Sequence, residues 1–321
     1  MDIVDAAAAW LGTHANELLE PATRNAGKAF GHLAKLPTTW IDAKAAEMKA
    51  DSEARIQITK ATTKAITKSI EVDPALAAIA AETTGLRIIR EQRNALKVLK
   101  YAADDLAATG AAAESGEAAE ISDDWLNAFE REAVDMSSER MQSLFGKILA
   151  GEIRRPRSYS IRTLRLMAQL DNRAAELFQR FCSLTCTLAI GPTILDSRVI
   201  APGKPAAQNG LQDHGLSYSE LNILSEYGLI STEYASQMPY GLAVLQTDKP
   251  YAPFCYANRY YFLMSDGAVN PDTFNAPGIG LSTAGQELLS IVEKTELPHY
   301  TVELSGFFKR CGFTLAQALP V

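Results

Sequence analysis

The sequence predicts an α+β fold that is mainly α, with helices over the N-terminal and central regions and a mixed α/β region at the C-terminal end. Two observations lead to this prediction. Before residue 190, apolar residues recur at helical spacing. After Gly191, Gly, Pro, Tyr and Asn become frequent, and short β-branched and aromatic runs begin. We predict three segments: an assembly region of long helices over 1–110, a helical domain over 120–190 and an α/β interaction domain over 191–321.

The composition is typical of a globular protein. The chain has 321 residues, of which 47% are hydrophobic and 21% are charged, so a disordered chain is excluded. The longest stretch without a charged residue, 181–195, is too short to cross a bilayer core of roughly 30 Å as a helix. No basic start is followed by an apolar run, so we expect no signal peptide and a cytoplasmic protein.

The charge argues against a protein that coats nucleic acid. The chain has 31 Lys and Arg against 38 Asp and Glu, which gives a net charge of −7 at pH 7. Its cysteines form no zinc-binding pattern, and we expect them to be reduced and buried. They are Cys182, Cys186, Cys255 and Cys311. Cys182 and Cys186 are four apart in a helical pattern, so we expect them to share a helix face.

The first segment is predicted to consist of amphipathic and Ala-rich helices. Residues 1–36 suit one or two amphipathic helices, and Trp10 and Phe30 would fit a membrane surface. Nearby acidic residues oppose anionic lipid, so packing or self-association is favoured. The stretch 38–72 lacks Gly and Pro but has few large apolar residues, so its helix needs a partner to be stable. A second long helix should begin at Pro74.

The central segment has clear helix signals after a predicted linker over 109–120. Helical periodicity resumes at Trp125, and we predict that Gly151 is the C-cap of that helical block. Either Ser158 or Ser160 can cap the next helix, and Asp171 should open another.

Several runs in this region resemble those of an uncharacterised bacterial domain family. The runs are Trp125-Leu126-Asn127-x-Phe129, Ser137–Gln142, Phe145-Gly146-Lys147-Ile148-Leu149-Ala150-Gly151-Glu152-Ile153, Ser160–Leu164 and, upstream, Glu91-Gln92-Arg93-Asn94-Ala95. More distantly, the pattern is similar to that of the abortive-infection alpha proteins, a group linked to phage resistance. This resemblance implies a role in defence against phage, and it brings no catalytic residues.

The C-terminal segment resembles half of a winged-helix domain. A helix over 217–227, opened by a Ser-x-x-Glu capping box, ends in Gly228-Leu229-Ile230, and two strands are predicted over 241–247 and 256–264. The run Leu281-Ser282-Thr283 then opens another helix. Residues 217–227 contain no cation to contact DNA phosphates. A winged-helix-like domain that binds protein is therefore favoured over one that binds DNA.

The best candidate site is a basic turn. Arg154, Arg155 and Arg157 lie just before a predicted helix start, and Arg162 and Arg165 lie three apart on that helix. Guanidinium groups and free helix N–H groups together suit an anion. The alternative is that these arginines only pair with acidic residues of the preceding helix. Those acids are Glu130, Glu132, Asp135 and Glu139.

We find no enzyme signature, and we expect no catalytic residues, cofactor or metal site. A nuclease-like Glu47-x-Lys49 lies in a helical stretch, and the histidines are scattered. The leading hypothesis is a non-catalytic, oligomeric anti-phage protein that binds itself and a protein partner. The alternatives are a nucleic-acid-binding protein that uses the basic patch at 147–165, and an effector that acts on membranes.

Overall fold

The computed structural model describes residues 35–69, 74–108, 121–191, 193–202, 210–246, 251–267 and 269–318. Of the helices expected over 1–36, all but the last two residues lie outside these ranges, as does the linker expected over 109–120. The chain divides into two compact units, Met1–Ala168 and Gln169–Val321. The boundary expected near residue 190 falls instead inside a β-hairpin of the second unit.

The first unit is helical. Its described helices are α1 (Lys35–Ser69), α2 (Pro74–Ala108), α3 (Asp123–Ala133), α4 (Glu139–Arg154) and α5 (Ile161–Gln169), the last of which ends at the division between the units. Helices α1 and α2 each have 35 residues, or about 52 Å at 1.5 Å per residue. Contacts of Ser52 with Gln92 and of Arg55 with Glu91 show that the two helices run antiparallel.

Helix α1 depends on α2 for its stability. It buries Ala45, Ser52 and Ile56, which lie on one face, while Ile58 is exposed on another. The Ser52 hydroxyl donates a hydrogen bond to Gln92 at the same face, over 2.5 Å. An isolated helix with so little apolar surface is marginal in water, so α1 gains its order from this contact.

Helices α2 and α4 run parallel and approach closely at Gly146. A Cβ atom on Gly146 would lie 2.5 Å from Cβ of Tyr101 and 2.9 Å from the backbone nitrogen of Ala102. A side chain at this position would force the two helices apart.

Buried amides connect the same helices. The Gln142 amide donates to the Asn94 side chain over 3.3 Å and to the Met136 carbonyl over 2.9 Å. Asn94 in turn donates to the Val134 carbonyl over 2.9 Å. Two of the runs that carry the family resemblance therefore stabilise the helical unit.

Most helix starts follow the sequence signals, but one predicted helix end is wrong. The side chain of Ser160 accepts the N–H of Thr163, and that of Asp171 accepts the N–H of Ala174. Gly151 is not a C-cap, because α4 continues to Arg154. A Cβ atom on Gly151 would lie 2.8 Å from the hydroxyl of Tyr159, so this glycine makes room for an aromatic ring.

The second unit combines helices with one large sheet. Its helices are α6 (Asn172–Leu184), α7 (Tyr218–Glu226), α8 (Thr283–Leu289) and α9 (Pro298–Arg310), with short 3-10 turns at Gln212–His214, Gly241–Ala243 and Pro271–Thr273. Its strands are β1 (Thr185–Ile190), β2 (Thr193–Ile200), β3 (Ser236–Pro239), β4 (Val244–Leu245), β5 (Phe254–Tyr256), β6 (Arg259–Ser265), β7 (Asn275–Gly280) and β8 (Phe313–Gln317).

The strands lie in the order β3-β7-β2-β1-β5-β6-β8, and all these neighbours are antiparallel. They form a half-barrel. The short strand β4 pairs in parallel with β6, through Val244 and Leu263. Helix α9 buries Tyr300, Leu304 and Phe308, which share one face at a spacing of four. Phe308 packs on Phe254 of β5, with ring centroids 5.9 Å apart. The core of this unit therefore lies between α9 and the sheet.

A buried ion pair joins the centre of the sheet to its edge. Arg198 on β2 binds both carboxylate oxygens of Asp196, at 2.6 and 3.1 Å. It also donates to the carbonyls of Ser236 on β3 and Ala276 on β7, at 3.2 and 3.0 Å. The hydroxyl of Tyr240 donates to Asp196 over 3.2 Å. The charges are therefore satisfied inside the unit, as buried ions require.

The predicted winged helix is wrong, and with it the predicted fold class. The run Leu229-Ile230 does meet Leu281 in an antiparallel bridge, and Ser282 donates its N–H to Leu229 over 3.0 Å. However, the segments predicted as a two-stranded wing do not form a hairpin together. Residues 244–245 run parallel to β6, while β6 pairs with β5 and β8. Strands from outside the predicted wing complete a larger sheet.

The cysteines also depart from the prediction in part. Helix α6 ends at Leu184, so Cys182 lies in a helix and Cys186 in β1, and they share no helix face. Cys182 and Cys186 are buried as expected, whereas Cys255 and Cys311 are only half-buried, and all four thiols are free. Burial raises the pKa of the Cys182 and Cys186 thiols, which keeps them protonated.

None of the helices described here is both long enough and apolar enough to cross a membrane.

Candidate functional site

The basic turn is built around a buried acid, Glu152, in the last turn of α4. Glu152 is only 2% exposed. Its Oε1 accepts the backbone N–H of Arg157 over 2.6 Å. Its Oε2 accepts the N–H groups of Ser158 and Tyr159 over 3.0 and 3.1 Å. One carboxylate therefore fixes three consecutive residues of the turn between α4 and α5.

Neighbouring groups hold the turn as well. The Trp125 indole donates to the carbonyl of Tyr159 over 2.7 Å. The hydroxyl of Ser158 donates to the carbonyl of Arg155 over 2.6 Å. Arg157 has φ of 70°, a left-handed conformation that costs about 1–2 kcal/mol for a residue with a side chain. The surrounding hydrogen bonds maintain that conformation, so the backbone of this turn has one defined shape.

The five predicted site residues fall into two groups. Arg154 is half-buried, and its guanidinium pairs with the carboxylate of Asp105 on α2. The other four are exposed: Arg155, Arg157, Arg162 and Arg165. Within the residues that the structure describes, none of these four pairs with a carboxylate. The turn and the first part of α5 thus present four arginines to solvent.

The predicted pairing with acids of the preceding helix is not observed for these four arginines in the described part of the chain. Glu132 instead lies 3.7 Å from its neighbour Arg131. Arg154 finds its acid on α2, not on α3 or the start of α4. The turn is therefore held by Asp105 and Glu152, and its exposed arginines are left to interact with solvent or a partner.

A second cluster lies in the other unit and contains two histidines and a glutamate. His299 and Glu303 are one turn apart on α9, and His214 lies in the 3-10 turn before α7. Nε2 of His214 is 3.0 Å from Oε2 of Glu303, and Nε2 of His299 is 3.5 Å from its Oε1. Among the residues described, this is the group whose ligand atoms are close enough to share a metal ion.

The sequence pattern does not indicate this cluster, because His214 is 89 residues from Glu303. The spacing of His299 and Glu303 was the available signal, since residues four apart on a helix share a face. That pair alone is too common to indicate a metal site.

A polar cleft of about 380 Å³ lies among α1, α2 and α3. Its walls include the pair of Arg55 with Glu91, at 3.0 Å, and the hydrogen bond of Ser52 with Gln92. The walls also carry Glu47, Asp51 and Glu130 against Arg131, so the charged side chains of the cleft are four carboxylates and two guanidinium groups, an acidic excess.

A family model described as "Protein of unknown function (DUF2806)" matches residues 81–305, which is more than half of the chain. The resemblance to an uncharacterised domain family is confirmed in this general form, and the likeness to abortive-infection proteins stays a prediction. Comparison with curated proteins and with solved structures gives no match.

Proposed function

Since the chain belongs to the DUF2806 family, whose function is unknown, we propose that it is a non-catalytic interaction protein that binds an acidic segment of a protein partner through its basic turn. The observation that carries this proposal is the exposure of Arg155, Arg157, Arg162 and Arg165 on a turn whose backbone is fixed by Glu152. A fixed turn loses little conformational entropy on binding, which favours affinity.

The chemistry of the turn favours carboxylates. A guanidinium group can bind a carboxylate through two parallel N–H bonds, so arginine is well suited to acidic side chains. Nucleic acid is the less favoured partner, because the net charge of −7 repels a long polyanion. The four arginines form a small basic area on an acidic protein, and this matches a short acidic segment.

Binding of a labelled octaglutamate peptide to the full-length protein tests the proposal by fluorescence anisotropy. The turn variant replaces Arg155, Arg157, Arg162 and Arg165 with Ala. Four exposed ion pairs of about 0.5 kcal/mol each sum to about 2 kcal/mol, so affinity should fall about thirtyfold. A control variant replaces four other exposed arginines of the same unit with Ala. They are Arg90, Arg93, Arg131 and Arg140.

The control variant has the same net charge as the turn variant and should bind the peptide like wild type. Equal loss in both variants would show only a general charge effect and would contradict the proposal. Labelled duplex DNA and single-stranded RNA are measured in parallel at physiological salt. Tighter binding of either nucleic acid than of the peptide, lost in the turn variant, would replace our proposal with the nucleic-acid alternative.

We also propose self-association through the antiparallel pair of α1 and α2. Ile58, Ile79 and Leu86 on these helices are more than half exposed, which is unusual for three large apolar residues of one helix pair. Light scattering should show an oligomer that the Ile58→Lys/Leu86→Lys variant converts to a monomer. Val302→Lys, at an exposed site of the second unit, should leave the oligomer intact. A monomeric wild type contradicts this part of the proposal.

We propose that this binding takes place in the bacterial cytoplasm and that its biological role is defence against phage. The resemblance of the central runs to abortive-infection proteins supports this biological role. The test is the efficiency of plating of a phage panel on a host that expresses the wild type, the turn variant or the control variant. Protection by wild type and control, lost in the turn variant, supports the role. Equal plating on all strains contradicts it.

A further inference from the structure

We infer that His214, His299 and Glu303 form a binding site for a divalent transition-metal ion of the zinc class. The site lies wholly within the second unit, at the N-terminal end of α9, and is independent of the basic turn. Two imidazoles and one carboxylate are a common set of protein ligands for such an ion, with a further position left for water.

The distances among the ligand atoms are close to those that tetrahedral coordination requires. Bonds of 2.0–2.1 Å at the tetrahedral angle place two ligand atoms about 3.4 Å apart. Nε2 of His214 and Oε2 of Glu303 are 3.0 Å apart, and Nε2 of His299 and Oε1 of Glu303 are 3.5 Å apart. All three ligand groups lie within 4.8 Å of one another. Small side-chain rotations would therefore bring all three onto one ion.

The buried histidine is held in place before any ion binds. Its backbone N–H donates to the carbonyl of Leu211 over 3.1 Å, and the next residue, Gly215, has φ of 74°. The His214 ring meets the Tyr300 ring edge-on, with centroids 5.0 Å apart. Tyr300 is anchored by a bond from its hydroxyl to the carbonyl of Ile200, over 2.8 Å. Little entropy is lost when such a ring becomes a ligand.

The other two ligands face solvent, which leaves room for water on the ion. The side chain of His299 is 72% exposed and that of Glu303 is 34% exposed, whereas that of His214 is 2% exposed. A hydrogen bond between His214 and Glu303 would satisfy the buried ring without an ion. It does not explain why His299 stands beside the second oxygen of the same carboxylate, with its ring centroid 5.5 Å from that of His214.

The donor set selects the class of ion. Imidazole nitrogen suits Zn²⁺, Ni²⁺, Co²⁺ and Cu²⁺, whereas Mg²⁺ and Ca²⁺ favour sites made of oxygen. A bound ion would join the turn at Gln212–His214 to α9, two segments that are far apart in the sequence. We therefore expect zinc to stabilise the second unit.

Metal uptake by the full-length protein tests this site. The chain is purified, treated with chelator and dialysed against Zn²⁺, and bound metal is measured by elemental analysis. Wild type should bind one equivalent and show an increase in melting temperature. Co²⁺ in place of Zn²⁺ should give the visible absorption of a four-coordinate ion. A large excess of Mg²⁺ should not displace either ion.

Two variants with exposed or half-exposed side chains remove ligands without removing the buried His214. His299→Ala and Glu303→Gln should each weaken Zn²⁺ binding by at least about 100-fold, since loss of even a supporting partner costs 10- to 100-fold. The control variant His14→Ala/His32→Ala removes the other two histidines and should bind like wild type. No stoichiometric uptake by wild type, or uptake unchanged in His299→Ala, would overturn the inference.

Discussion

Replacing Glu152 with Gln should release the basic turn. In the wild type, Oε1 of Glu152 accepts the N–H of Arg157, while Oε2 accepts those of Ser158 and Tyr159. Glutamine has one carbonyl oxygen, which can keep the two bonds of Oε2. Its NH₂ group would then face the N–H of Arg157, so one buried donor loses its acceptor.

The size of the effect follows from these three bonds. A buried N–H without a partner costs about 1–3 kcal/mol. The two retained bonds change from charge-assisted to neutral, and each loses about 1 kcal/mol. The neutral glutamine does not have the desolvation cost of a buried carboxylate, which offsets part of this loss. We expect the free energy of unfolding of the helical unit to fall by about 2–4 kcal/mol.

Urea unfolding followed by tryptophan fluorescence measures this change, because all three tryptophans lie in the first unit. Hydrogen exchange of the amides at 157–159 gives the local measurement, and these amides should lose protection. Glu139→Gln, at an exposed position at the start of the same helix, is the control and should change stability little. Wild-type stability and unchanged protection in Glu152→Gln would refute this account of the turn.

Three further predictions concern a close helix contact, an unhindered glycine in α9 and a capping box. Gly146→Ala should destabilise the protein by about 1–3 kcal/mol, because the new methyl group would meet Cβ of Tyr101 at 2.5 Å. In contrast, Gly306→Ala should stabilise α9 by about 0.5–1 kcal/mol in thermal unfolding, since its nearest contact is a flexible side chain at 3.5 Å. The N–H of Ser217 lowers the pKa of Glu220 below its ordinary value of 4.5. The stability advantage of wild type over Glu220→Gln should therefore be constant well above the unfolded pKa and shrink as the pH falls through the folded pKa. An advantage that does not shrink on acidification contradicts this.

The helix starts could be predicted because caps are local. Asp171 and the pair Ser217 and Glu220 act within three residues along the chain, and both act as the sequence indicates. The end of α4 could not be predicted from Gly151, since its role depends on the ring of Tyr159. The spacing of Cys182 and Cys186 predicts that both lie in one helix. The chain is already extended at Cys186, because β1 pairs with β2 and β5.

The sheet and the cluster of His214, His299 and Glu303 depend on contacts between residues that are far apart in the sequence. Val199 on β2 pairs with Ile279 on β7, and Leu263 on β6 pairs with Leu315 on β8. No local sequence pattern selects these pairs. The same short strands are therefore compatible with a small two-stranded wing and with a large sheet. The basic turn was visible as a run of arginines, but the role of Glu152 was not. Glu152 holds the turn because its carboxylate is buried. The sequence does not indicate this burial, because charged residues are mostly exposed.

The buried ion pair of Arg198 sets a condition on biosynthesis. The two carbonyls that Arg198 binds are 38 and 78 residues further along the chain. When the ribosome has made the hairpin of β1 and β2, those acceptors do not yet exist, and a charged side chain at the centre of the future sheet must stay hydrated. The second unit therefore folds only after residue 276 has left the exit tunnel. Until then, the strands of the unit have unpaired edges, a state in which a nascent chain is prone to aggregate.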